Sequence, residues 1–187
     1  CIRDSGSSSG GGTTGGGSSS SSKPSASTGK TETVTKPDGT KVQTETKADG
    51  TKIQTTTGKD GSVTKTETKK DGTKVETTTG KDGSTTKTET KKDGSSVTET
   101  KAADGSTGTV KTDKHGQTTA ETTLSSKAIE DAKKSGEAVK APVEVEASRD
   151  SSTAPTVKVE LPKNSGDTKV EIPVSNVKPG TVAVLVH

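Results

Sequence analysis

Glycine recurs at every eleventh residue from Gly39 to Gly116, and in seven of these eight cases the residue before it is Asp. The pairs are Asp38-Gly39, Asp49-Gly50, Asp60-Gly61, Asp71-Gly72, Asp82-Gly83, Asp93-Gly94 and Asp104-Gly105, with His115 in the Asp position of the eighth. Asp-Gly between alternating residues is among the strongest local hairpin signals, because a type I′ turn needs positive φ at both central positions. These fourteen residues are therefore read as structural turns, punctuating an array of strands from Lys30 to Thr123. A second period of 22 overlies the first: TKIQTTTGKDG (51–61) returns as TKVETTTGKDG (73–83), and SVTKTETKKDG (62–72) as STTKTETKKDG (84–94). The structural unit is a pair of strands.

A two-residue turn leaves nine residues per strand and pairs positions whose numbers within the unit sum to ten. In that register Thr40, Val42, Thr44 and Thr46 share one face, Lys41, Gln43, Glu45 and Lys47 share the other, and the Thr/Val face stays on one side throughout. Val42, Ile53 and Val75 then oppose threonines, and Lys47 opposes Lys52. The expectation is a single-layer antiparallel meander wet on both faces, with a partly disordered array of hairpins as the alternative.

Composition narrows the function. The chain has no Phe, Tyr, Trp or Met, and 20% of it is hydrophobic, against about half in an ordinary globular domain. Burying a Val or Leu gains about 1.5–3 kcal/mol, while ordering one residue costs about 1–2 kcal/mol of backbone entropy, so no conventional core spans the whole length. Net charge is +3, from 28 basic and 25 acidic residues interleaved along the repeats. Without a basic block or stacking rings, nucleic acid is not expected as a partner. No apolar run reaches the length of a transmembrane segment, about 18 residues or more.

No chemistry assembles around the polar residues, and the sequence reading is not an enzyme: no catalytic, cofactor-binding or metal residue is assigned. Calcium loops need several acidic or amide ligands at alternate positions, whereas Lys59, Lys70, Lys81 and Lys92 stand beside the Asp residues. His115 and His187 join no nucleophile or acid, and the glycines match no phosphate-loop pattern. Consecutive threonines such as Thr55, Thr56 and Thr57 raise a flat hydroxyl surface for ice or glycan as an option, but Thr is first of all a soluble β-former. Cys1 is the only cysteine, which excludes an internal disulfide; it reads as a cut point in a longer chain, with a lipidated lipoprotein start as the alternative.

Four regions follow. Residues 1–29 are Gly/Ser-rich and read as a disordered, flexible linker. Residues 30–123 form the hairpin repeats, and residues 124–140 hold a short helix, expected over Lys127–Ser135 behind a Ser cap and stopped by Gly136. Residues 141–187 read as a small, incomplete β-sandwich-like module with strands at VEVEAS, TVKVELP, TKVEIPV and TVAVLVH. The fold class is mainly β.

The segments LSSKAIEDAKKSGEAVKAPVEVEA, VKVELPKNSGDTKVEIPVSNV and KPGTVAVLVH resemble the region upstream of the anchoring repeats in Firmicutes cell-surface proteins of the S-layer homology type. The resemblance implies a parent protein held to a cell-wall polymer through repeats absent here, with upstream domains displayed outward. The array itself resembles, in architecture alone, the single-layer sheet of spirochaete outer-surface lipoproteins. The expectation is a non-catalytic, extracellular stalk or spacer at the cell wall, with an adhesin or glycan-binding surface on the repeats as the alternative.

Overall fold

The computed structural model describes residues 29–146, 154–163, 165–175 and 183–186. The linker reading of residues 1–29 lies outside the described residues except for Gly29.

Nine strands of six residues each follow one another as an antiparallel meander: β1 (Lys30–Thr35), β2 (Lys41–Thr46), β3 (Lys52–Thr57), β4 (Val63–Thr68), β5 (Lys74–Thr79), β6 (Thr85–Thr90), β7 (Ser96–Lys101), β8 (Thr107–Thr112) and β9 (Thr118–Thr123). Threonine dominates because a β-branched side chain suits the pleated surface and its hydroxyl keeps that surface wettable. Of the two expectations, the ordered single-layer meander is the one observed.

The turns are longer than expected, and this changes the register. At each connection the glycine N–H donates to the carbonyl three residues back, as from Gly39 to Lys36 at 3.0 Å, while the Lys36 N–H donates to the Thr40 carbonyl at 2.8 Å. That is a three-residue loop, a type I turn closed by a left-handed glycine, in place of the two-residue type I′ turn. The glycines of the eight turns have φ between 82° and 89°. Positions within successive units now sum to nine: Val42 opposes Thr56, Glu45 opposes Ile53, and Glu67 opposes Val75. Lys47 lies in a turn, and Lys52 faces Thr46 and Thr68.

A register shift of one residue moves every side chain to the other face. The Thr/Val face therefore does not stay on one side; it alternates from strand to strand. The upper face carries Val42, Thr44 and Thr46 of β2, then Lys52, Gln54 and Thr56 of β3, then Thr64, Thr66 and Thr68 of β4. Two strands are needed before the same positions return to the same face, which is the physical origin of the 22-residue period.

Helix α1 (Ser126–Ser135) follows β9 and agrees with the expected helix to within one residue. Ser125 caps it, its Oγ accepting from the Ala128 N–H at 3.0 Å, and Gly136 ends it at φ 72°. Short strands follow, β10 (Val139–Lys140) in the expected connector, then β11 (Val145–Glu146), β12 (Thr156–Glu160), β13 (Val170–Glu171), β14 (Val174–Ser175) and β15 (Ala183–Val186), of which β14 straddles the end of the third expected segment and the others lie within theirs. β12 joins β9 in parallel and β15 joins β12 in parallel, extending the long sheet to eleven strands. The parallel β9–β12 pair needs a long crossover, and that crossover contains α1, β10 and β11. The parallel ladders β10–β13 and β11–β14 complete this second layer.

The buried apolar residues lie between that layer and the upper face of the last strands. Ala120, Val157 and Val159 rise from the sheet against Leu124, Ala128, Ile129, Ala132, Val139, Ala141, Val143 and Val145. β1 to β7 contribute none of these residues, although Ile53 is itself buried on the lower face.

Candidate functional site

The structure places all fourteen predicted turn residues in turns. Each of the seven Asp carboxylates accepts the backbone N–H two residues on, at 2.8–3.0 Å: Asp38 from Thr40, Asp49 from Thr51, Asp60 from Ser62, Asp71 from Thr73, Asp82 from Ser84, Asp93 from Ser95 and Asp104 from Ser106. At three of the four turns where serine follows, Asp60, Asp82 and Asp93, its hydroxyl also donates to the same carboxylate oxygen at 2.6 Å. These Ser hydroxyls hold the three carboxyls below the ordinary aspartate value of 3.8, and the Thr backbone N–H groups do the same for Asp38, Asp49 and Asp71.

His115 is exposed in the eighth turn. Asp113 takes over the carboxylate's role there, accepting from the N–H groups of His115 and Gln117 at 2.8 and 2.9 Å. Successive turns lie on opposite rims of the ribbon, so carboxylates along one rim are two strand spacings apart, about 10 Å. That is too far for two of them to share one cation. Among the described residues no three His, Cys, Asp or Glu side chains converge on a common point. No helix there is long and apolar enough to cross a membrane.

The hydroxyls do form a surface, but not from consecutive threonines. Thr56 points to the upper face while Thr55 and Thr57 point to the lower, because side chains alternate along a strand. The ladder runs across strands instead: Thr56, Thr64, Thr78, Thr86 and Thr100 stand opposite one another on the upper face of β3 to β7. Several cross-strand hydroxyl pairs on this face are within hydrogen-bond distance, Thr64 with Thr78 at 3.2 Å, Thr88 with Thr98 at 3.0 Å and Thr112 with Thr118 at 3.4 Å. Rows on the lower face mix charged and apolar groups, as in Glu45, Ile53, Glu67, Val75 and Glu89.

Where this hydroxyl surface runs under the edge of the second layer there is a cleft of about 560 Å³. Its floor is Thr86, Thr88, Ser96, Thr98 and Thr100, and its overhang is the Ala141–Glu146 segment with Pro173. Gly108 sets the position of that overhang. A Cβ there would lie 2.3 Å from the Pro142 carbonyl oxygen and 2.4 Å from a Val143 methyl, so only glycine lets the segment approach. Ser106 and Ser125 fasten the same end: the Ser125 N–H donates to Ser106 Oγ at 3.0 Å, and Ser125 Oγ donates to the Asp104 carbonyl at 2.7 Å. The sequence reading missed Gly108 and this serine pair. A glycine inside a strand was the available signal, since it marks a close backbone approach.

No family model matches the chain, and no curated protein or solved structure is significantly similar to it.

Proposed function

We propose that the chain is a non-catalytic, extracellular spacer in a cell-wall-associated surface protein. The observation that supports this most is the nine-strand meander, which from β1 to β7 grows sideways without acquiring an interior. Each 11-residue unit adds one strand spacing of about 4.8 Å, so nine strands span about 38 Å between the first and the last. Length in such an array is set by repeat number and not by core volume, which suits a part whose task is distance. The interleaved charges keep both faces solvated. The resemblance of residues 124–187 to a pre-anchor region supplies the location, and wall attachment is assigned to anchoring repeats of the parent protein.

Two measurements test this. Surface labelling and fractionation of the producing cells should find the parent protein outside the membrane, and a wholly cytosolic protein would end the reading. In-frame removal of residues 51–72 should bring spin labels at the two sheet ends about 10 Å closer, two strand spacings, with the second layer still folded; an unchanged separation would contradict a spacer.

A further inference from the structure

The cleft between the hydroxyl ladder and the second layer has a chemistry of its own. Among the described residues no Lys or Arg lines it, although lysine recurs along every strand pair of the repeats. The groove on the opposite face of the same strands is lined by Lys87, Glu89, Lys91, Glu99, Lys111 and other residues, with both signs of charge. The cleft floor is neutral and, apart from Val110, hydroxylic, and its overhang presents Pro142 and Pro173. Glu144 and Glu146 are exposed at the rim. Its volume of about 560 Å³ lies within the range of small-ligand sites, about 300–1,000 Å³.

From this we infer that the cleft is a binding site for a neutral oligosaccharide, a function beyond that of a spacer. A Thr or Ser hydroxyl is at once a donor and an acceptor, as a sugar hydroxyl is, so a half-buried hydroxyl floor can match a polyol in either polarity. Pro142 and Pro173 offer an apolar wall to the C–H face of a pyranose ring. Anionic polymers are disfavoured because no cation among the described residues lines the site and two carboxylates flank it. A polycation would find its only charges at the solvated rim, where screening weakens them.

The test is an amide-shift titration of the full ¹⁵N-labelled chain with chitotriose, cellotriose and maltotriose, and in parallel with spermidine and an oligogalacturonate. Saturable shifts confined to Thr86–Thr100 and Ala141–Glu146 with a neutral trisaccharide support the inference. Thr88→Val and Thr98→Val keep side-chain shape and β-propensity, and each should weaken that binding about three- to tenfold, the value of one net hydrogen bond. Thr64→Val, on the same face but outside the cleft, should leave it unchanged. Absence of saturable shifts with all three neutral sugars, binding of spermidine or oligogalacturonate alone, shifts on the lower face, or equal weakening by Thr64→Val would each overturn it.

Discussion

Val34 and Val159 belong to one cross-strand row on the same face of one continuous sheet, yet Val34 is 59% exposed and Val159 2%. Between them the row reads Val42, Thr56, Thr64, Thr78, Thr86, Thr100, Gly108 and Thr122. At the β1 end the sheet depends on antiparallel backbone ladders, turn chemistry and weak cross-strand pairs; at the β9–β12 end a parallel ladder is covered by a helix and two short ladders. A repeat that cannot build an interior becomes one wall of a core when a few positions shrink or turn apolar. Gly108 admits the overhang, Ala120 and Val110 replace hydroxyls, and Ser106 ties down the helix cap.

The sharpest way to break this contrast is to place the same charge at both ends. Val159→Asp buries an unpaired carboxylate and should cost more than about 4 kcal/mol or abolish folding of the covered end, whereas Val34→Asp should stay within about 0.5 kcal/mol. Urea unfolding of the two variants checks it, and equal losses would mean that the row is not differentiated.

Gly108→Ala comes next. The new methyl meets backbone, so the overhang must lift, at about 1–3 kcal/mol. Thr86→Ala in the same row should cost below about 1 kcal/mol. Removal of the helix cap by Ser125→Ala should cost about 1–2 kcal/mol, visible in the thermal midpoint and in loss of helical circular dichroism. In the wet part of the sheet, Gly72→Ala should cost about 1 kcal/mol, since its φ of 88° is left-handed, with the change in amide exchange confined to β4 and β5.

The smallest expected effect is electrostatic. Six turn carboxyls are held below their ordinary value of 3.8 by the Ser and Thr groups that donate to them. Protonation removes the acceptor, so this stabilisation is complete above that value and is lost as pH falls through the lower folded-state values. The urea midpoint should therefore decline below pH 3.8, and less steeply in an Asp60→Asn, Asp82→Asn, Asp93→Asn variant. Identical pH profiles would show that the turns owe nothing to their carboxylates.

Much of the fold was legible because the Asp-Gly period is strictly local information. Strand positions, the helix with its Ser125 cap, and the apolar segments beyond it all follow from patterns within a few residues. Turn length did not follow, because Asp-Gly suits both a two-residue type I′ turn and the last two places of a type I turn with a glycine bulge. Pro37 held the missing clue: it cannot donate to a ladder and favours the second position of a type I turn. One extra residue per turn was enough to reverse the assignment of faces. The cleft was less legible still, because its floor and overhang are separated by some 40 residues and meet only through the parallel crossover.

The offset pairing of the repeats alternates the faces and produces the hydroxyl ladder. Cross-strand nuclear Overhauser contacts in the full chain measure that pairing directly. The structure predicts contacts placing Val42 opposite Thr56 and Glu45 opposite Ile53; contacts placing Val42 opposite Thr57, or no inter-strand contacts from β1 to β7, would contradict it.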